Sequence, residues 1–160
     1  MARFEVQLDV AAGVDQVWAR MVDWPAHGRW VPLTTVRVLT PSGSGVGARF
    51  VGRTGLGLLA FDDPMEIVGW RPPLDGVAGR CEVVKQGRVV LGSAWFEVAP
   101  APGGSRVTWD EQIEIVPVWL TRPAGRILSA LGRIGFTRAL RVMAREAERA
   151  TADPAEGAAP

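Results

Sequence analysis

The first residues of the chain alternate between apolar and polar side chains. The apolar positions share one side with period two: Phe4, Val6, Leu8 and Val10. This pattern is typical of a β-strand with one face on a core, and it predicts a strand over residues 3–10. The period then becomes helical. We therefore predict a short helix that begins at Val14, is capped by Asp15 and ends before Pro25, and a second helical turn over residues 24–31.

Six more strand-like runs follow, each bounded by Gly, Pro, Ser or Asp. They are Thr35–Thr40, Val46–Arg53, Met65–Trp70, Val77–Lys85, Arg88–Val98 and Arg106–Val116. Short connections such as Gln86-Gly87 favour antiparallel pairing of successive strands. The segment Gly55–Asp63 is predicted to be an irregular loop whose leucines form a lid or an entrance. Asp62-Asp63 before Pro64 is typical of a turn.

Beyond Val116 the apolar positions recur at helical spacing. They are Ile127, Leu128, Leu131, Ile134, Leu140, Met143 and Ala147, with arginines mostly opposite. The pattern predicts an amphipathic helix of about 25 residues, with Thr121 as its cap and Pro123 in its first turn. Residues 151–160 offer little to bury, so a disordered tail is predicted there.

These elements predict an α+β fold in one domain over residues 1–150. A curved antiparallel sheet of about seven strands would wrap around the long C-terminal helix, with two short helices after strand 1 and an apolar pocket between sheet and helix. The length of 160 residues and a hydrophobic content of 48% suffice for a full core without metal or disulfide.

Charge and rare residues narrow the possible functions. The net charge of +1 gives no electrostatic basis for nucleic-acid binding. Cys81 and His27 are each the only residue of their type, which argues against a disulfide or a metal site rich in Cys or His, and we interpret His27 as a surface residue. Lys85, the only lysine, is interpreted as a result of genome composition. No signal peptide or membrane span is evident, so we expect a cytoplasmic protein without stable membrane insertion. The sequence implies no cofactor.

Six short phrases follow one another along the chain: Val14-x-x-Val17-Trp18, Asp23-Trp24-Pro25, Trp30-Val31-Pro32, Gly45 to Phe50, Trp70 to Pro73 and Gly104 to Trp109. In their order and spacing they resemble the START/Bet v 1-like (SRPBCC) superfamily and its polyketide cyclase/dehydrase members. The resemblance extends over residues 4–147. It implies the helix-grip fold, and it is compatible both with proteins that bind lipids or polyketides and with enzymes.

Glu111 is the most informative single residue. In the last strand it lies on the same face as Val107, Trp109, Ile113 and Ile115. A buried carboxylate is costly unless it is paired or protonated, so Glu111 is a candidate acid/base or ligand contact. The alternatives are a register break or a buried pair with Arg53 or Arg80.

Glycines and tryptophans give weaker indications. Gly132 and Gly135 in the long helix either leave room for a ligand or allow close packing on the sheet. Trp109, and with it Trp70, is a candidate pocket wall. Trp95 falls on the opposite face of its strand and, if uncovered, is a candidate contact in a homodimer.

Three hypotheses follow. The first is a binding protein for a hydrophobic small molecule, lipid-like or polycyclic. Its predicted ligand-binding residues are Phe50, Met65, Cys81, Phe96, Trp109, Glu111, Leu128, Leu131, Gly135 and Met143. The second, implied by the resemblance, is a polyketide cyclase or dehydratase that uses Glu111 as acid/base. The third is a partner-binding module, which predicts a filled interior and an exposed apolar surface near Trp95 and Trp119.

Overall fold

The computed structural model describes residues 1–57, 60–116 and 125–152. The strands are β1 Ala2–Val10, β2 Thr34–Val38, β3 Arg49–Thr54, β4 Phe61–Arg71, β5 Gly79–Gln86, β6 Val90–Ala101 and β7 Gly104–Ile115. The helices are α1 Val14–Met21, α2 His27–Trp30 and α3 Gly125–Ala152, with a 3-10 turn at Trp24–Ala26 before α2. This order confirms the predicted α+β helix-grip architecture.

All strands belong to one seven-stranded sheet with the order β1-β7-β6-β5-β4-β3-β2. Every adjacent pair is antiparallel. The meander from β2 to β7 is therefore sequential, and β1 joins beside the last strand. The long helix α3 packs on β1 and against α1 and α2, which leaves the inner face of β2 to β7 to form most of the wall of a cavity.

The predicted cap of α1 is wrong by two residues. The N-cap is Gly13, whose backbone N–H donates to Oε1 of Gln16 at 3.1 Å. Asp15 lies in the first turn, where its charge favours the helix dipole. The side chain that closes this end of α1 therefore comes from within the helix.

The largest difference from the predicted strands lies at the start of β4. The strand begins at Phe61, and Asp62 and Asp63 pair with Arg53 and Gly52 of β3. The prediction of a turn at Asp62-Asp63 is wrong because Pro64 is accommodated inside this strand. Of the predicted lid, Leu56 is exposed and Phe61 is half-buried; Leu58 and Leu59 lie outside the described residues.

The face that α3 turns toward the sheet is set by Gly132. A Cβ atom at Gly132 would collide with the ring of Phe4 in β1, so the helix approaches closely there. The inward stripe continues through Phe136 and Leu140. Neighbouring positions point about 100° away, which explains why Leu131 and Ile134 are 60% and 68% exposed.

Some predictions for the C-terminal region fall on residues that the structure leaves undescribed. Thr121, Pro123 and Trp119 lie outside the described residues, as do residues 153–160 of the predicted tail. Thr151 and Ala152, assigned to the tail, belong to α3. Among the described residues, no helix is long and apolar enough to cross a membrane.

Candidate functional site

An apolar cavity of about 240 Å³ lies on the inner face of the sheet. Most of its wall consists of aromatic, aliphatic and sulfur-containing side chains. They include Trp24, Val36, Phe50, Phe61, Met65, Cys81, Val83, Ala94, Phe96, Trp109, Ile113 and Phe136. An engineered apolar cavity of about 150 Å³ binds benzene, so this cavity has room for a ligand of one or two rings.

Three charged side chains meet in this wall. The ammonium of Lys85 lies 2.7 Å from Oδ2 of Asp63 and 3.1 Å from Oε1 of Glu111. We call Asp63, Lys85 and Glu111 the charged triad. The side chains of Lys85 and Glu111 are only 8% and 3% exposed, and that of Asp63 is 14% exposed. Two carboxylates and one ammonium give the triad one excess negative charge in apolar surroundings.

The triad extends from β4 to β7, across β5 and β6. The side chains can meet because β6 has small residues at the positions between Lys85 and Glu111. Lys85 of β5 lies opposite Gly92 of β6, and Glu111 of β7 lies opposite Ala94. Neither β6 residue has a side chain long enough to block the ammonium. A Cβ at Gly92, whose φ is +135°, would collide with the carbonyl of Gln112. The backbone of the adjacent strand β7 therefore excludes a larger residue at Gly92.

Lys85 remains charged in this environment. Burial alone lowers the pKa of the Lys85 ammonium, but Glu111 and Asp63 outweigh burial and hold that pKa above its usual value. The ammonium is therefore a fixed positive charge at neutral pH.

The two carboxylates of the triad differ in what their oxygens contact. Glu111 Oε1 faces Lys85, and Oε2 accepts a hydrogen bond of 2.7 Å from Nε1 of Trp109. Asp63 uses Oδ2 for Lys85, while its Oδ1 is buried and has no hydrogen-bond partner among the described residues. A buried acceptor without a donor is costly. Asp63 therefore presents an unused acceptor in the cavity wall.

His27 also lines the cavity, so its predicted surface position is wrong. Its ring stacks on Trp30 with 4.5 Å between centroids, and Nε2 lies 2.9 Å from the carbonyl of Met21. Because a carbonyl only accepts, Nε2 carries the proton. Burial lowers the pKa of His27 to about 4, although the hydrogen bond to Met21 and the charge of Asp23 oppose this. The imidazole is therefore neutral at pH 7.

The family model for polyketide cyclase/dehydrase and lipid transport proteins matches residues 1–148. The chain belongs to this family. No curated protein sequence shows significant similarity to it. Solved structures with the same fold include StfQ, a di-domain aromatase/cyclase from the steffimycin biosynthetic pathway, with a TM-score of 0.71 and 16% identity. That match covers 95% of this chain and 52% of StfQ, so the chain spans about half of StfQ.

Two further structures are similar over nearly their whole length. The ZhuI aromatase/cyclase from Streptomyces sp. R1128 has a TM-score of 0.65 at 17% identity, with 93% of this chain and 94% of that chain covered. A START superfamily protein from Mycobacterium smegmatis has a TM-score of 0.65 at 15% identity, with 91% and 99% covered. At these identities the likeness shows the shared fold.

The structure brings six of the ten predicted ligand-binding residues of this family member together in the cavity wall. They are Phe50, Met65, Cys81, Phe96, Trp109 and Glu111. The four from the long helix, Leu128, Leu131, Gly135 and Met143, do not line the cavity formed by the described residues. Leu131 and Gly135 lie on the exposed side of α3, and Met143 is fully buried in the core. The helix instead contributes Phe136, whose ring centroid lies 5.3 Å from that of Trp109.

Other predicted features have simpler outcomes. Glu111 is paired as one alternative foresaw, but with Lys85; Arg53 pairs with Asp62, and Arg80 with Glu82 and Glu97.

Trp95 is half-buried, and the guanidinium of Arg80 lies 3.9 Å from its ring centroid; a homodimer contact at Trp95 remains a prediction. Trp70 packs edge-on against Trp18 and is absent from the described cavity wall. Burial raises the pKa of the Cys81 thiol to about 12, with the nearby charge of Glu82 adding to the effect, which keeps the thiol protonated.

Sequence reasoning missed Lys85, Asp63 and Phe136. The signal for Lys85 was available, because it shares a period-two face with the buried residues Cys81 and Val83. Asp63 was hidden by the turn assignment around Pro64. Phe136 was overlooked because a second apolar stripe, through Leu131 and Ile134, competes with the inward stripe of α3.

Proposed function

We propose that the protein binds a small, mostly apolar molecule of one or two rings in the cavity between sheet and α3. The single observation that carries the proposal is the cavity itself, about 240 Å³ with an aromatic and aliphatic wall and a few converging polar groups. Such a combination is typical of small-molecule sites. The fold, shared with aromatase/cyclases and START proteins, supports a ligand-binding or cyclase role. The cavity argues against a partner-binding module, which predicted a filled interior.

Filling the cavity is expected to abolish most of the binding. Gly52 lies on the inner face of β3, and a Cβ there would have one neighbour within 4 Å among the described residues, Cε of Met65 at 3.6 Å. A leucine at this position would occupy ligand space. If two or three carbons of naphthalene are excluded, at about 0.8 kcal/mol per CH₂-sized group, the affinity falls roughly tenfold or more. Quenching of tryptophan fluorescence by naphthalene measures the affinity of each variant.

The matched control is Gly135→Leu. This glycine lies on the exposed side of α3, where a Cβ would meet no atom of the described part of the chain within 4 Å. Naphthalene should bind this variant as it binds the original protein. If naphthalene binds none of the three proteins, or binds Gly52→Leu as tightly as the control, the cavity is not a binding site. Native mass spectrometry of the purified protein, followed by denaturing extraction, identifies any molecule that co-purifies.

A second candidate function is cyclisation or dehydration of a polyketide. It is favoured by the charged triad and neutral His27, which place four titratable side chains in the wall of the apolar cavity. In this hypothesis Glu111 exchanges a proton with the substrate, and Lys85 holds the carboxylate of Glu111 in place through Oε1 at 3.1 Å.

The enzymatic hypothesis predicts that Glu111→Gln lowers the rate at which a linear poly-β-ketone thioester is cyclised by about 100-fold. Glu114→Gln, on the same strand three residues away, is the control and should keep the rate. Cyclised product is followed by liquid chromatography and mass spectrometry. Product formation no faster than in buffer, with folded protein that binds naphthalene, would remove the enzymatic hypothesis and leave the binding function intact.

A further inference from the structure

We propose that Asp63 selects ligands that carry a hydrogen-bond donor, a hydroxyl or amine group, on an otherwise apolar ring system. The inference rests on the proposed binding function and specifies the ligand class of that site. It starts from one atom, Oδ1 of Asp63, which is buried and has no partner among the described residues.

The position of Asp63 makes its free oxygen available to a ligand rather than to the protein. Asp63 is part of the cavity wall and lies opposite Gly52, which has no side chain that could donate. Its other oxygen is held by Lys85 at 2.7 Å, which fixes the orientation of the carboxylate. Met65, the next inward residue of β4, offers only a thioether, and its Sδ lies 3.6 Å from Nζ of Lys85.

The charge balance of the triad points to the same ligand class. One ammonium serves two carboxylates, so the triad holds more acceptor capacity than donors. Glu111 has both oxygens engaged, by Lys85 and by Nε1 of Trp109. His27 is neutral, and its Nε2 proton is directed to Met21. A ligand that supplies a donor to Asp63 would complete the hydrogen bonding, whereas a ligand that offers only an acceptor would face a carboxylate oxygen.

A pair of bicyclic probes tests this selection. 2-Naphthol carries a hydroxyl donor, and 2-methoxynaphthalene carries an acceptor at the same ring position. We expect the protein to bind 2-naphthol at least about tenfold more tightly, because hydrogen bonds to charged groups are among the stronger ones. Both dissociation constants are measured by tryptophan quenching or calorimetry.

Substitution of Asp63 should remove or reverse the preference. In Asp63→Asn the amide oxygen would face Lys85, and the NH₂ group would then occupy the position of Oδ1 and turn the acceptor into a donor. The ratio of the two affinities should fall to about one or below. Asp62→Asn is the control, because that neighbouring carboxylate is exposed, pairs with Arg53 and should leave the ratio unchanged.

The outcomes separate this inference from the binding function. If both probes bind the original protein with a ratio near one, or if a folded Asp63→Asn variant keeps the preference for 2-naphthol, selection by Asp63 is overturned while binding stands. If neither probe binds, the binding function fails as well. Should Asp63→Asn fail to fold, Asp63→Ser is measured in its place. A ratio of the two affinities near one in the original protein still overturns this inference, and it leaves the binding function standing.

Discussion

Replacing Lys85 with methionine is expected to lower the free energy of unfolding by about 3–5 kcal/mol, since removal of one partner of a buried ion pair leaves uncompensated charge. Here one substitution leaves two carboxylates, Asp63 and Glu111, without their shared ammonium. Methionine keeps the length of the apolar stem. The loss of unfolding free energy therefore reflects the uncompensated charge and not the creation of a large cavity. Urea unfolding at pH 7 measures the change.

Arg53→Met is the control: its pair with Asp62 is more than half exposed on both sides, and such pairs contribute about 0–1 kcal/mol. Equal losses in the two variants would contradict the role given to the triad.

The second large effect concerns His27 and pH. The pKa of His27 is about 4 in the folded protein, against 6.5 for an unperturbed histidine. Between these values the unfolded chain binds the proton and the folded protein does not, so stability falls as the pH drops from about 6.5 towards 4. Each pKa unit corresponds to 1.36 kcal/mol, so the free energy of unfolding that is lost over this whole pH range is about 3 kcal/mol.

His27→Gln isolates this contribution. Glutamine can still donate to the carbonyl of Met21, but it does not titrate. Because His27 is the only histidine, the remaining pH dependence comes from carboxyl groups that both proteins share. Urea unfolding at pH 7 and pH 4.5 should show that the variant loses about 2–3 kcal/mol less than the original protein. Parallel losses would mean that His27 titrates normally in the folded state.

The spacing of apolar residues, with the Gly, Pro, Ser and Asp that separate the runs, predicted the seven strands and the long helix. Period-two alternation in the last strand predicted the inward position of Glu111. The same period-two argument applies to Lys85, but a lysine between Cys81 and the end of a strand has no evident partner in sequence. The partners come from strands β4 and β7, and their approach depends on small residues at Gly92 and Ala94. Distances across four neighbouring strands are a property of the sheet register, which local patterns do not contain.

The phase of the helix was the other feature that the pattern left ambiguous. Both Leu131 and its neighbour Gly132 lie on stripes that contain apolar residues. Packing determines which stripe of α3 faces the sheet. Gly132 allows the ring of Phe4 to approach the helix backbone, and this contact turns Phe136 towards the cavity. A contact between the first strand and the last helix is tertiary and is not contained in local patterns. Apolar spacing therefore placed Leu131 towards the ligand, and the missing side chain placed Gly135 there, whereas both lie on the exposed side of α3.

The position of β1 in the sheet has a consequence for how the chain is made. Among the described strands, β1 pairs only with β7, as in the register of Phe4 with Glu111. Roughly a hundred residues separate these partners, so their pairing closes a far longer loop than any hairpin of the meander. On the ribosome, the first strand emerges early and has no place in the sheet until the seventh has been synthesised. Asp63 and Lys85 can meet within one early hairpin, whereas Glu111 joins them, and adds the second carboxylate, only near the end of synthesis.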